Sequence, residues 1–251
     1  MKMTCQGSLL SLILFAATAA PVTAAPALSA EEIVRKMEEN QVHESARSEG
    51  RMIINDRFGE KIITFVSWSR GEEKTLLEFT SRQERGQKIL RTEDELYLYF
   101  PDAAEVIRLQ GAALRDSVLG SDFSYEDMTG EGDALEDYRV ELLGTEEVEG
   151  EECYKIKMDA KSRSVPYPSQ IVWIDTELFV FRKVHKFSLS GKLLKEMFAT
   201  DFMRKSGKYI PVRMVMKDAM KRNSSTEFHI EELDLEADVP ESTFSIEELT
   251  W

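Results

Sequence analysis

The sequence predicts a mainly β protein, α+β in detail, built on one curled antiparallel sheet. Three observations predict it. Apolar and polar residues alternate with period two in segment after segment beyond Gly50, turn residues separate those segments at hairpin spacing, and no repeating βαβ unit demands a parallel sheet. The alternation amounts to roughly ten or eleven strands. An open sheet that long tends to curl, and its concave face must be filled by side chains, by a helix or by a ligand.

The chain opens on an export-type segment. Lys2 precedes an apolar run from Leu9 to Ala20, and small residues lead to a cleavage point after Ala24, with Val22 at the −3 position. A bilayer core requires ~20 apolar residues and the run is about a dozen, so residues 1–24 read as a cleaved signal rather than a membrane anchor. Residues 25–251 then read as a single domain in an exported protein. Cys5 leaves with the signal, and Cys153 has no partner for an intrachain disulfide in an oxidising compartment. Placed beside Tyr154 at the opening of a strand, Cys153 reads as a small strand residue rather than a reactive thiol. The net charge of −14 opposes contact with nucleic acid and stable residence on an anionic membrane.

One helix precedes the sheet. Ser29 and Glu32 make a capping box, and Leu28 is placed to close over Ile33. Ile33, Val34 and Met37 form a single apolar stripe over about three turns, with Glu31, Arg35, Glu38 and Glu39 outward.

Then the period changes. Met52, Ile54 and Phe58 alternate with Arg51, Asn55 and Arg57; Ile63 and Phe65 flank Thr64; Leu77 and Phe79 flank Glu78; Leu96, Leu98 and Phe100 face away from Tyr97 and Tyr99. Gly59-Glu60, Arg70-Gly71-Glu72, Arg85-Gly86-Gln87 and Glu93-Asp94 supply the turns. Pro101 stops the fifth strand and Val106 to Leu109 gives a sixth. A polar stretch between Gly111 and Asp137, containing Gly130-Glu131-Gly132-Asp133, reads as loop with one or two short helical turns. Tyr138, Val140 and Leu142 resume the sheet and pair with Tyr154, Ile156 and Met158, after which Val165-Pro166-Tyr167-Pro168 forces an extended connection. In the final block Phe179, Phe181, His185, Phe187 and Leu189 are assigned to one face. Ile210, Val212, Met214 and Met216 alternate, and Phe228 with Ile230 opens the last long strand.

Catalytic equipment is sparse. The sequence has no Gly-x-Ser-x-Gly, His-Glu-x-x-His, P-loop or dinucleotide-binding glycine pattern, and its near-neutral bases are His43, His185 and His229. We therefore expect no enzyme activity, no cofactor and no metal. Asp122, Glu126 and Asp127 are the one acidic cluster for which a metal can be argued, with a spacing unlike a calcium loop; the preferred reading is a loop that packs Phe123 and Tyr125 against the rim of the sheet.

Several motifs in order carry a family resemblance. Arg85-Gly86-Gln87-Lys88-Ile89-Leu90-Arg91, Leu96-Tyr97-Leu98-Tyr99-Phe100-Pro101, Arg108-Leu109-Gln110-Gly111 running to Gly120-Ser121-Asp122-Phe123-Ser124-Tyr125-Glu126-Asp127, Val172-Trp173-Ile174-Asp175 and Gly207-Lys208-Tyr209-Ile210-Pro211 resemble the outer-membrane lipoprotein-sorting protein family of the LolA-like superfamily. The segment Ala112 to Leu119 departs from the Ser-Phe-Met-like run usual there. The resemblance implies an incomplete antiparallel β-barrel with short helices over an apolar cavity. It implies a non-enzymatic periplasmic carrier of lipid or lipoprotein acyl chains, in transient contact with an inner-membrane donor and an outer-membrane acceptor. The alternative it leaves open is a lipid-binding sensor that serves a membrane partner without transport. The alternating apolar sets nominate the cavity lining: Met52, Ile54, Ile63, Phe65, Leu77, Phe79, Leu96 and Leu98, with Ile33 and Met37 as part of a lid.

Overall fold

A computed structural model describes residues 28–71, 73–92, 95–129 and 133–250. The export segment, Glu72, the Glu93-Asp94 turn and Gly130 to Gly132 lie outside them.

Helix α1 (Ala30–Gln41) starts at the expected cap: Glu32 N donates to Ser29 Oγ at 3.2 Å and Ser29 N donates to Glu32 Oε2 at 2.7 Å. Six strands follow: β1 (Ala46–Asp56), β2 (Gly59–Arg70), β3 (Lys74–Phe79), β4 (Lys88–Arg91), β5 (Leu96–Phe100) and β6 (Glu105–Leu109). A connection of short 3₁₀ turns (Gly111–Arg115 and Val118–Gly120) and two short helices, α2 (Tyr125–Thr129) and α3 (Ala134–Asp137), leads to the second run. That run is β7 (Tyr138–Val148), β8 (Glu151–Ala160), β9 (Ser169–Asp175), β10 (Phe181–Phe187), β11 (Leu193–Lys205), β12 (Lys208–Asp218) and β13 (Ser225–Asp234), followed by the short helix α4 (Ile246–Leu249). Among the described residues the strands number thirteen rather than ten or eleven. A strand such as β4, four residues long with three of them buried, gives a period-two rule nothing to count.

All thirteen strands form one sheet in the order β6-β5-β4-β3-β2-β1-β13-β12-β11-β10-β9-β8-β7, with antiparallel pairing throughout. The first six strands step outward from β1 and the last seven step inward to β13, so the two meanders join through their terminal strands. The edges β6 and β7 are consecutive in the chain and unpaired with each other, which leaves the barrel incomplete at that seam.

The join between the meanders is tight. At the β1–β13 bulge a Cβ on Gly50 would stand 2.1 Å from the His229 carbonyl oxygen and 2.8 Å from Phe65 Cζ, so no side chain fits there. Phe65 in turn stacks on Phe228 across the same join, with ring centroids 4.8 Å apart.

Two different covers fill the inner face. Over β1 to β5 the connection itself is the cover: Leu114, Val118, Leu119, Tyr125 and Met128 pack into the sheet's apolar side chains. Over the other half lies α1, whose Ile33, Val34 and Met37 pack on Ile156, Met158, Val172, Ile174 and Val184. On the outer face Val239, Phe244 and Leu249 of the C-terminal segment cover Leu76 and Leu90. Phe58, placed with Met52 and Ile54 by alternation, instead stands out at the β1–β2 turn. Among the described residues no helix is long and apolar enough to cross a membrane.

Candidate functional site

Between the two covers the inner face is not completely filled. A cavity of about 460 Å³ lies beneath α1, bounded by α2, α3 and the inner side of β1, β2 and β8 to β13, a size within the range of ordinary ligand sites. Met37, Met128, Met158, Met197 and Met214 all reach it, together with Val172, Phe181 and Val184. Methionine is flexible and polarizable, and a lining rich in it adapts to irregular apolar shapes.

The C-terminal end of α1 is fastened beside this cavity by Asn40. Its Nδ2 donates to the carbonyls of Leu178 and Phe179, both at 3.0 Å, and its Oδ1 accepts from Tyr209 N at 3.0 Å. Lys208 Nζ donates to the Val42 carbonyl just past the helix, and Glu38 Oε1 accepts from Ala134 N at 2.7 Å, tying α1 to α3. His43, also on the cavity wall, has its pKa lowered by burial and by neighbouring Lys208.

The polar part of the wall is unusual. Asp127 and Lys186 line the cavity, 2.8 Å apart, and Lys195 Nζ lies 2.6 Å from the other Asp127 oxygen. Ser124 N and Oγ and the Tyr167 hydroxyl also donate to that carboxylate. Burial pushes the Asp127 carboxyl up, but the two ammonium groups outweigh it and hold the group well below the usual carboxylate range. Asp122 is fully buried nearby, accepting from Ser224 Oγ at 2.8 Å and Thr226 Oγ1 at 2.9 Å, while Glu126 is paired with Arg91 at 3.2 Å. The acidic cluster therefore pins the connection to β4, β10, β11 and β13, and it seats Phe123 against Phe228, ring centroids 5.7 Å apart. Among the described residues no group of three or more His, Cys, Asp or Glu is placed to hold a metal ion.

Of the ten residues nominated as lining, Met37 reaches the cavity. Ile33 sits one turn earlier on α1, fully buried in the core of that half. Met52, Ile54, Ile63, Phe65, Leu77, Phe79, Leu96 and Leu98 do face inward, but they form one packed cluster beneath residues 111–129. The wall of this cavity comes mainly from the C-terminal meander instead.

The face assigned to His185 changes, whereas Cys153 is the buried strand residue the sequence predicts. A bulge between Phe181 and Lys183 turns Val184 and Lys186 inward, so His185 points to the outer face, where it meets Trp173 edge-on. Cys153 is buried on the outer face beside Trp173, and burial first, then Asp175, pushes its thiol up to about 11. That thiol is the inert kind.

Residues 71–251 match the sequence model of a family described as "Uncharacterized protein". The chain belongs to this family. No curated protein matches the chain by sequence. Among solved structures it is similar to a DUF1329 family protein from Desulfovibrio piger, with 21% identity, a TM-score of 0.81, and coverage of 86% of this chain and 96% of that one. It is also similar to a putative outer membrane lipoprotein-sorting protein domain from Vibrio parahaemolyticus, with 22% identity, a TM-score of 0.80, and coverage of 88% and 100%. A LolA superfamily protein from Nitrosomonas europaea is similar at 25% identity and a TM-score of 0.75, over 88% of this chain and 100% of that one. The fold is thus LolA-like, and the open seam between β6 and β7 is the feature that makes this LolA-like barrel incomplete.

Proposed function

We propose that this LolA-like protein is a non-enzymatic periplasmic carrier, which takes lipid or lipoprotein acyl chains into the cavity under α1 and moves them between an inner-membrane donor and an outer-membrane acceptor. The methionine-rich cavity beneath a pinned helix carries the proposal, and the likeness to lipoprotein-sorting folds supports it. Each CH₂ taken from water contributes about 0.8 kcal/mol, so an acyl chain supplies ample driving force for entry, and a deformable wall favours release over permanent capture. Met37 is the nominated residue that touches the cargo; the eight strand residues nominated with it form the firm half of the barrel against which the wall is set.

Native mass spectrometry of gently purified protein tests the reading. Bound lipid is expected in the parent protein and is expected to be lost, with the fold retained, in Met214→Glu, which places a charge on a half-buried wall position. Equal lipid occupancy in both proteins overturns the assignment of the cavity. Transfer of labelled lipid between donor and acceptor vesicles then separates a carrier, which accelerates exchange, from a sensor, which binds without accelerating it.

A further inference from the structure

The overall acidity of the chain conceals an uneven surface. Among the described residues the three most exposed large apolar side chains are Leu189 at 87%, Phe58 at 82% and Met220 at 57%. Each sits in a different hairpin turn, and the register brings those turns together: Asn55 pairs with Ser225, Met216 with Thr226, and Lys195 with Asp218. The β1–β2, β12–β13 and β10–β11 turns therefore project side by side from one end of the barrel. Isolated exposed apolar residues are ordinary, but three converging on one rim need an explanation.

The same rim gathers positive charge. Arg57, with its guanidinium 4.5 Å from the Phe58 ring centroid, Lys192 and Arg222 are exposed in the three turns. The Lys61–Glu84 contact at 2.7 Å brings exposed Arg82 and Arg85 to this end as well. Of the carboxylates here, Asp56 accepts from Phe58 N at 2.7 Å and Asp218 from Met220 N at 2.8 Å, each closing its own turn, and Glu60 is exposed, as are Asp102 and Glu105 in the β5–β6 turn beside Arg82 and Arg85. The turns at the far end carry exposed Glu44, Glu73, Glu149, Glu177 and Glu236 instead.

We propose that this rim docks on an anionic lipid bilayer, with Phe58, Leu189 and Met220 entering the interfacial layer and the surrounding Arg and Lys side chains meeting lipid phosphates. Apolar tips with neighbouring cations suit that interface, each cation near an anionic surface adding to the attraction. The acidic remainder of the molecule is repelled by the same surface, which makes the contact oriented, reversible and sensitive to salt. The inference stands apart from the cavity, since it assigns a membrane-facing end and no cargo.

A reporter on the rim tests it. In Phe58→Trp the added emission, taken against the parent protein, is expected to shift to the blue with phosphatidylglycerol-containing vesicles but not with pure phosphatidylcholine, and to return when salt is raised to about 0.5 M, where the Debye length shrinks to a few ångströms. Replacing the other two tips in the combined variant F58W/L189S/M220S, which keeps the reporter, is expected to weaken partitioning of the rim about tenfold or more. Because the reporter sits at residue 58, an apolar segment elsewhere in the chain does not generate its signal. No shift with anionic vesicles overturns the proposal, as does an equal shift with both vesicle types. A shift that appears without vesicles as protein concentration rises assigns the rim to self-association and overturns it too.

Discussion

Lys195 Nζ lies 2.6 Å from one oxygen of Asp127 and Lys186 Nζ lies 2.8 Å from the other, with all three side chains removed from solvent. Such a triad is stable only as a unit, because removing one member strands a buried charge. Asp127→Asn leaves the two ammonium groups facing a neutral amide. We expect it to destabilise the fold by about 3–5 kcal/mol, read from urea unfolding at neutral pH. The pH dependence follows from the sign of the shift. The folded carboxyl is held below its unfolded value of about 4, so its contribution is complete above that value and is lost as pH falls through the folded one. The gap between parent and variant is therefore expected to narrow only in strong acid. A gap that is constant from neutral pH down to pH ~2 would show that the ion pairs are not its source.

The sequence made the strands and the helix cap legible because both depend on local periodicity and local hydrogen bonds. Ser29 and Glu32 form their box, and Met52, Ile54, Ile63 and Phe65 face inward as alternation requires. Alternation distinguishes in from out, however, and not filled from empty. Which half of the trough stays open depends on where Leu114, Val118 and Met128 fold back, a contact between elements distant in sequence. Lys186 was hidden for another reason: three aromatics in one segment, Phe179, Phe181 and Phe187, suggested a single face, whereas a one-residue bulge inverts the pattern between them. Nothing local marks Lys195 or Lys186 as the partners of Asp127.

Gly50 occupies the join of the two meanders, where the nearest obstacle to a Cβ is the His229 carbonyl rather than a movable side chain. Gly50→Ala is expected to cost about 3 kcal/mol in urea unfolding by forcing β1 from β13. The second obstacle, Phe65 Cζ, separates two explanations. If the ring were the limiting contact, Phe65→Leu would rescue Gly50→Ala; because the backbone oxygen is nearer, we expect the double variant to be no more stable than the single one.

His43 offers a milder pH response in a different window. Its folded pKa lies below the ordinary value near 6.5, so the unfolded chain takes up the proton first as pH falls, and stability declines from about pH 6.5 downward until the folded value is passed. His185 is lowered in the same direction, by burial and by Lys183 against the opposing pull of Glu196. Thermal unfolding of His43→Gln is accordingly expected to lose less stability between pH 7 and pH 5 than the parent does, while keeping part of the slope. An unchanged slope would assign the response to other groups.

Asn40 is the test of whether α1 acts as the lid. Its amide makes three hydrogen bonds, two to the turn before β10 and one to β12. Asn40→Ala leaves two carbonyls and one N–H to find water at a half-buried site, a cost of about 1–3 kcal/mol. The apolar stripe Ile33, Val34 and Met37 remains in place, so the helix is expected to stay formed while its C-terminal end opens more often. If cargo enters beneath that end, exchange of labelled lipid between vesicles accelerates in the variant, and equilibrium affinity falls, because dissociation rises more than association. Hydrogen exchange gives the independent reading: faster exchange confined to the last turn of α1 and the start of β12 accompanies an open lid. Lost stability and a loosened helix end with no change in lipid exchange would place the entrance elsewhere, most naturally at the unpaired seam between β6 and β7.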